Sequence, residues 1–372
     1  MKYKQCIRCV MDTSDPDIAF DINGICNHCR KIEYAFNRSI YGLPIDHKKK
    51  FLTQIVAKIK KAGECKKYDC LIGVSGGVDS AYLACHAVEL GLRPLALHLD
   101  NGWDSEIAVR NIELILKRLE VELFTYVIDW EEFKDLQLAF LKASTPESEV
   151  PTDHAIGSIL YQVAKKEGIS YILTGANFST ESIMPRAWSQ GHWDWKYIRS
   201  IHQQFGTTPL KTFPHRNLIQ NLSYRFLRNI HSINLLDYFN YDKLEAIKTL
   251  EKLGWRSYGG KHHESIYTRF YQSYILPTKF GFDKRKAHLS SLIMTGQIDR
   301  KSALKELENP PCNSKQIEED KEFVLNKFGL TEQEFQEIMD LPSKRFCEYP
   351  SYQTTWYLRI FKGLYSILKK LE

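Results

Sequence analysis

The sequence predicts an α/β protein built on a doubly wound parallel sheet, preceded by a small metal-held module and followed by a mostly helical region. Three observations carry this. Four of the nine cysteines fall in the first 29 residues as two Cys-x-x-Cys pairs. Between about Tyr68 and Gly175, short apolar, β-rich runs alternate with helical patterns, as parallel strands joined by crossover helices do. After about Asn177 the strand patterns stop, and the chain becomes aromatic, basic and helical in its periodicity.

Residues 1–45 form the first expected unit. They carry turn signals at Asp15-Pro16 and Asn23-Gly24 and too few periodic apolar positions to build a core unaided. Cys6-x-x-Cys9 and Cys26-x-x-Cys29 are separated by 16 residues, a spacing that fits a four-cysteine zinc ribbon in which each pair aims two thiolates at one tetrahedral ion. Four thiolates leave no open position, so Zn²⁺ on Cys6, Cys9, Cys26 and Cys29 is expected to be structural, and His28 is read as a surface residue. A redox pair belongs where a strand runs into a helix, and neither pair is expected there.

Residues 46–205 are expected to hold the sheet. Strand patterns cover about 68–74, 92–99, 121–128 and 171–175, and helical patterns about 78–90, 107–119 and 154–166. Residues 206–372 are expected to form a mostly helical region that binds substrate or a partner. There is no internal repeat and no low-complexity tract.

The chain's 372 residues are 43% hydrophobic and 26% charged, which excludes a largely disordered chain, a collagen-like repeat or a coiled-coil rod. No apolar stretch reaches the ~18–20 residues of a membrane span, and MKYKQCIRCV lacks the apolar segment of a signal peptide. A soluble, cytoplasmic protein is the expectation, with its remaining cysteines as thiols rather than disulfides. The net charge of +6 suits an anionic substrate but is too mild for a dedicated nucleic-acid domain, so no nucleic-acid partner is expected.

The most informative residues are Ser75, Gly76, Gly77, Val78, Asp79 and Ser80, placed directly after the first strand and directly before a helix. Two adjacent glycines let the backbone turn sharply and approach a ligand, while the helix start offers unpaired N–H groups and a positive dipole end to phosphate. The loop lacks the Lys of G-x-x-x-x-G-K-[ST], so an ordinary P-loop is excluded. Ser75 and Ser80 can donate to pyrophosphate oxygens, and Asp79 makes sense if it helps to hold Mg²⁺.

SGGVDS in this context resembles the PP-loop ATP pyrophosphatases, a superfamily that includes GMP synthetase, asparagine synthetase and tRNA thiolation enzymes. The resemblance implies that ATP is cleaved between its α- and β-phosphates and that AMP passes to a carbonyl oxygen of the substrate. It also implies nucleotide or metal contacts from Asp100, which closes the second strand, and from Gly175 and Asn177, which follow the fourth.

A zinc ribbon followed by a PP-loop also occurs in one class of tRNA thiolases. Those enzymes carry further cysteine pairs, whereas this chain has Pro151-Thr152-Asp153-His154 where one is expected and only single late cysteines, Cys312 and Cys347. Cys65, Cys70 and Cys85 surround the first strand and helix and read as core packing.

Over nearly its whole length the chain is similar to the N-acetyl sugar amidotransferases of bacterial surface polysaccharide and flagellin glycan synthesis, which convert an acetamido group to an acetamidino group. The residues that carry this are Cys6-Ile-Arg-Cys9-Val-Met-Asp-Thr13, Asn23-Gly-Ile-Cys26-Asn-His-Cys29, the SGGVDS loop, Gly259-Gly-Lys261-His-His-Glu-Ser265, and the run from Asp283 to Ser290. Ser75, Asp79, Lys261 and Arg285 are the candidate catalytic residues. Lys261, Arg269, Lys284 and Arg285 are candidates to neutralise a diphosphate or a sugar carboxylate, and His263 and Glu264 are weaker acid–base candidates. The stretch Trp188 to Tyr197 interleaves aromatics with polar groups and suits either a sugar ring or a packed loop.

Glutamine hydrolysis needs a nucleophilic cysteine at position 2 or on a G-x-C-x-G elbow, and the chain begins Met1-Lys2 and has no such elbow. The resemblance implies a separate glutaminase and a barrel-like partner that deliver ammonia. The amphipathic run from Tyr357 to Leu371 suits packing within the chain, a partner subunit or a membrane surface.

Overall fold

The computed structural model describes residues 2–260 and 263–355. Its strands are β1 (Cys70–Gly73), β2 (Pro94–Asp100), β3 (Glu122–Val127), β4 (Tyr171–Thr174) and β5 (His231–Asn234). They form one parallel sheet in the order β3-β2-β1-β4-β5, with Ile72 beside Ala96 on one flank and beside Leu173 on the other. The winding reverses between β1 and β4, and at such a reversal the loops leaving the carboxyl ends of two neighbouring strands diverge and open a crevice.

Helices α1 (Asn27–Arg38) and α2 (Ile45–Ala62) precede β1; α3 (Val78–Glu89) and α4 (Glu106–Arg118) make the first two crossovers; α5 (Trp130–Lys142) and α6 (Val150–Lys166) lead from β3 to β4. Then come α7 (Phe178–Glu181), α8 (Trp195–Phe205) and α9 (Leu218–Leu222) before β5, and α10 (Lys243–Lys252) after it. The C-terminal part contains α11 (Ile266–Phe270), α12 (Arg285–Met294), α13 (Arg300–Glu308), α14 (Ser314–Phe328) and α15 (Glu332–Asp340).

Strand alternation explains the layers. Cys70, Ile72 and Val74 point into a core with Leu83 and Ala87 of α3, Ile112 and Leu116 of α4 and Val56 and Ile59 of α2. Leu71, one residue out of phase, points to the opposite face with Phe133 and Phe140 of α5 and Val163 of α6. Side chains fix the crossover starts: the Ser105 hydroxyl accepts from the Ala108 N–H to open α4, and the Asp129 carboxylate accepts from the Glu132 N–H to open α5.

Two expectations are corrected here. The strands do not end near Asn177, because β5 pairs with β4 at residues 231–234; only four residues long and largely exposed, His231-Ser-Ile-Asn234 carries no apolar alternation to announce it. Cys70 and Cys85 are core residues, but Cys65 is exposed, in a left-handed turn at φ 63°. The α6 helix also begins earlier than its periodicity, at Val150, with Pro151 in the first turn where a missing N–H costs nothing.

Candidate active site

Cys6, Cys9, Cys26 and Cys29 converge, fully buried, with their sulfurs within 4.8 Å of one another. The Cys6–Cys29, Cys9–Cys26 and Cys26–Cys29 separations are 3.9, 3.7 and 3.7 Å. A Zn–S bond of about 2.3 Å puts the sulfurs of a tetrahedron about 3.8 Å apart, so the four thiols fit that ion. Backbone N–H groups of Arg8, Cys9 and Cys26 point at the Cys6 sulfur at 3.4, 3.5 and 3.3 Å. These backbone donors favour the thiolate form that a metal needs at Cys6. The second pair does sit at the start of a helix, since Cys26 immediately precedes α1, a context not expected from sequence; its convergence with Cys6 and Cys9 separates it from an isolated redox pair. His28 turns away and binds the Asp15 carboxylate at 2.6 Å.

The glycine loop stands in the crevice between β1 and β4. Gly76 adopts φ 77°, and its carbonyl accepts from the Trp255 indole N–H at 3.0 Å. The Ser75 hydroxyl accepts from the Gly77 N–H at 3.3 Å, and the Ser80 hydroxyl accepts from the Ser75 N–H at 3.2 Å, so the loop is held by its own serines. No side chain caps α3 at Gly77. Gly175 lets the turn after β4 come close, since a Cβ there would lie 3.0 Å from Asp79 C and Ser80 N.

Ser75, Gly77, Val78, Asp79, Ser80, Gly175 and Ala176 line one cleft of about 320 Å³ together with Lys243, Tyr258 and Glu264. Three other nucleotide-binding candidates, Gly76, Asp100 and Asn177, are not among its lining residues. The Asp100 carboxylate accepts from the Gly102 N–H at 2.9 Å, and Asn177 caps α7 by accepting from the Thr180 N–H at 3.0 Å. Lys261 lies outside the described residues.

Sequence reading missed the aromatic holders of the loop: Tyr241, whose hydroxyl donates to Asp79, Trp255 on Gly76, and Tyr258, whose hydroxyl meets Glu264 and the Val78 N–H. Burial, reinforced by the Asp79 charge, raises the Tyr241 pKa; burial, reinforced by Glu264, raises that of Tyr258. Both phenols stay protonated donors. Trp255 and Tyr258 stand just ahead of the Gly259-Gly260 turn, the one signal that could have located them.

A second cavity, about 470 Å³, adjoins the loop cleft, with Thr180, Lys243, Tyr258, Gly259 and Gly260 lining both. Arg285 lies here, not in the cleft, and its guanidinium is held by Asp283 at 2.7 Å and by the carbonyls of Glu306 and Asn309. Arg269 forms a two-pronged pair with Asp320, 2.6 Å on each side, and Lys284 donates to Glu147 at 3.2 Å. Three of the four cations considered for a diphosphate thus already carry a carboxylate partner.

The Trp188–Tyr197 run lines neither of these spaces. Trp188 and Tyr197 border a third cavity, with Trp188 stacked on Phe282 at 4.3 Å. Trp193 is 54% exposed and faces the Arg216 guanidinium, and Trp195 stacks on His215. Behind Trp195, His154 accepts from the Arg216 N–H through Nε2 (3.2 Å) and therefore donates from Nδ1 to the His192 carbonyl (2.7 Å). Burial pushes its pKa down to about 4; the His192 carbonyl works the other way, and the charges of Arg216 and His215 add to the fall.

An unfolded chain protonates this histidine near pH ~6.5 while the folded one does not until about 4, so acidification through that window favours unfolding by up to about 1.4 kcal/mol per pH unit. Urea unfolding at pH 7 and pH 5 is expected to show a loss that His154→Asn flattens. Equal pH slopes for the two proteins would contradict the assignment.

The fold and this site define a parallel α/β protein with a phosphate-type glycine loop at the sheet's switch point and a four-cysteine knuckle. Residues 264–364 match the family described as LPS biosynthesis protein WbpG-like, C-terminal domain. The match falls in the C-terminal part of the chain and supports the resemblance to surface-glycan enzymes read from the sequence. The chain is also 25% identical over 283 residues to an uncharacterized protein, MJ1599, of Methanocaldococcus jannaschii, covering 73% of this chain and 83% of that one. Two solved structures are similar with a TM-score of 0.28 each: a predicted subunit of tRNA methyltransferase from Methanocaldococcus jannaschii (17% identity, 50% of this chain, 74% of that one) and NMN synthetase from Francisella tularensis (16% identity, 58% and 95%). No described helix is long and apolar enough to cross a membrane.

Proposed function

We propose that the chain is an ATP-dependent amidotransferase of bacterial surface-glycan synthesis that turns the N-acetyl group of a sugar into an acetamidino group. The observation that carries the reading is that the glycine-loop cleft shares a wall with a second cavity lined largely from the WbpG-like region, which would give adjoining places to a nucleotide and an acceptor. Ser75, Gly76, Gly77, Val78 and Ser80 would hold the phosphates of ATP, with Gly175 and the turn toward Asn177 behind them and Asp100 on the neighbouring strand. Asp79 would hold Mg²⁺, which supplies charge neutralisation for the departing pyrophosphate. The acetamido oxygen attacks the α-phosphorus and pyrophosphate leaves. Ammonia then adds to the imidate carbon, gives up a proton, and AMP departs with the original oxygen, leaving the amidine. Arg285 would act from the acceptor side by fixing the wall through Asp283, and Lys261 would be a further catalytic residue.

Ammonia would come from a separate glutaminase and a barrel-like subunit, since the chain has no recognisable glutaminase nucleophile. A tRNA thiolation reading is less supported: among the described residues, no second group of three or more metal-ligating side chains accompanies the four cysteines.

Incubation with ATP, ammonium at alkaline pH and a panel of N-acetyl sugars should yield AMP and a product with oxygen replaced by NH, read by mass spectrometry. AMP formation with none of the sugars, together with co-purifying tRNA, would favour thiolation instead. Asp79→Asn is expected to keep the fold, because the amide oxygen still accepts from Tyr241, yet to cut AMP release about 100-fold through lost metal affinity. Turnover near wild type in that variant would remove Asp79 from the proposed site.

A further inference from the structure

The four-cysteine module is not a free appendage; it is built into the outer wall of the second cavity. Val10, fully buried, packs with Leu289 of α12 and Ala303 of α13, and its N–H donates to the Ser290 hydroxyl at 3.2 Å. Leu289 and Leu292 of α12 and Glu306 of α13 line the cavity itself, so Val10 touches the back of a residue whose front borders the cavity. Two cations lock the joint. Lys286 of α12 reaches the buried Asp12 carboxylate at 2.5 Å. Arg300, the first residue of α13, donates to the carbonyls of Cys6 and Cys9, both 3.0 Å away, and to the Gln5 side chain at 3.1 Å. Two residues whose sulfurs fit the metal therefore also hold, through their backbones, the arginine that starts α13.

We infer that Lys286 and Arg300 are positioning residues through which the metal-held knuckle sets the α12–α13 wall of the acceptor cavity, so that metal occupancy governs acceptor binding and leaves nucleotide binding at the glycine loop alone. The part concerning the acceptor rests on the function proposed above; the mechanical coupling does not. The chemistry favours such a coupling. Arg300 satisfies backbone carbonyls whose directions are fixed only while their cysteines are held, and a buried Asp12 that loses Lys286 keeps an uncompensated charge. α12 contributes Arg285, His288, Leu289 and Leu292 to the cavity, so a small tilt of this one helix alters four wall positions together.

Hydrogen exchange on the full chain, with and without a zinc chelator, tests the coupling without any need for turnover. Metal removal is expected to speed exchange across residues 285–294 about 10-fold and to leave residues 78–89 of α3 unchanged. Arg300→Gln and Lys286→Met, each checked for retained zinc, are expected to do the same and to raise the acceptor KM about 10-fold while the ATP KM stays put. Restored protection in Lys286→Arg would mark the ion pair rather than general stability as the cause.

Unchanged exchange at 285–294 after metal removal overturns the inference, as does a uniform rise that includes 78–89. If the wild-type chain forms no AMP with any sugar, the proposed function fails while the exchange result still decides the coupling.

Discussion

Gly76→Ala is expected to lower AMP formation at least about 100-fold, because displacing a phosphate-binding loop by an ångström is enough to lose that much. The reason lies in what surrounds this glycine. Its backbone sits at φ 77°, a conformation that costs a residue with a side chain about 1–3 kcal/mol. The added Cβ would stand 2.5 Å from the Ala108 carbonyl oxygen and 2.9 Å from Ala108 Cα, both backbone atoms of α4 that no rotamer change can move. The loop must therefore shift away from α4, and in doing so it strains the Trp255 bond to its carbonyl and the serine contacts that shape it. AMP release and urea unfolding measured side by side check this. An alanine variant with wild-type turnover would mean the loop does not cradle the reacting phosphates.

Cys26→Ser is expected to abolish stoichiometric zinc and to destabilise the chain by about 4 kcal/mol or more, since metal binding supplies most of the folding energy of such a module. Within the module Cys26 is held between Cys9 and Cys29, both 3.7 Å away, and it immediately precedes α1, so its loss opens both the metal polyhedron and the helix start. The wild-type protein should carry one zinc per chain by metal analysis, and thermal unfolding should show the loss. A serine variant with full zinc and an unchanged melting temperature would rule out the tetrahedral assignment.

The parts of the fold that were legible in the sequence are those with short-range causes. The first four strands announce themselves by apolar runs, the loop by adjacent glycines between a strand and a helix, and the knuckle by cysteine spacing. What stayed hidden depends on contacts between distant residues. β5 is too short and too polar for a pattern and exists because β4 offers it an edge. Tyr241 meets Asp79 across 162 residues, and Trp255 meets Gly76 across 179, so nothing local marks either as part of the site. Arg269 and Lys284 were visible as charges, but their carboxylate partners Asp320 and Glu147 lie 51 and 137 residues away, which is why they looked available for a ligand. The tryptophan run shows the reverse case: a stretch contiguous in sequence is divided by the fold among separate surroundings.

The joint between Val10 and Ser290 spans 280 residues of chain, and this has a consequence for how the protein is made. During synthesis at ~5–20 residues per second, the N-terminal cysteines leave the ribosome roughly a quarter of a minute to a minute before the surface that receives them exists. Whatever the metal does for the cysteines, Val10 stays uncovered until α12 and α13 form, while the sheet assembles behind it. The docking of the N-terminal module onto α12 and α13 is then a late, long-range closure, and a nascent chain stalled before Arg285 keeps that apolar residue in water.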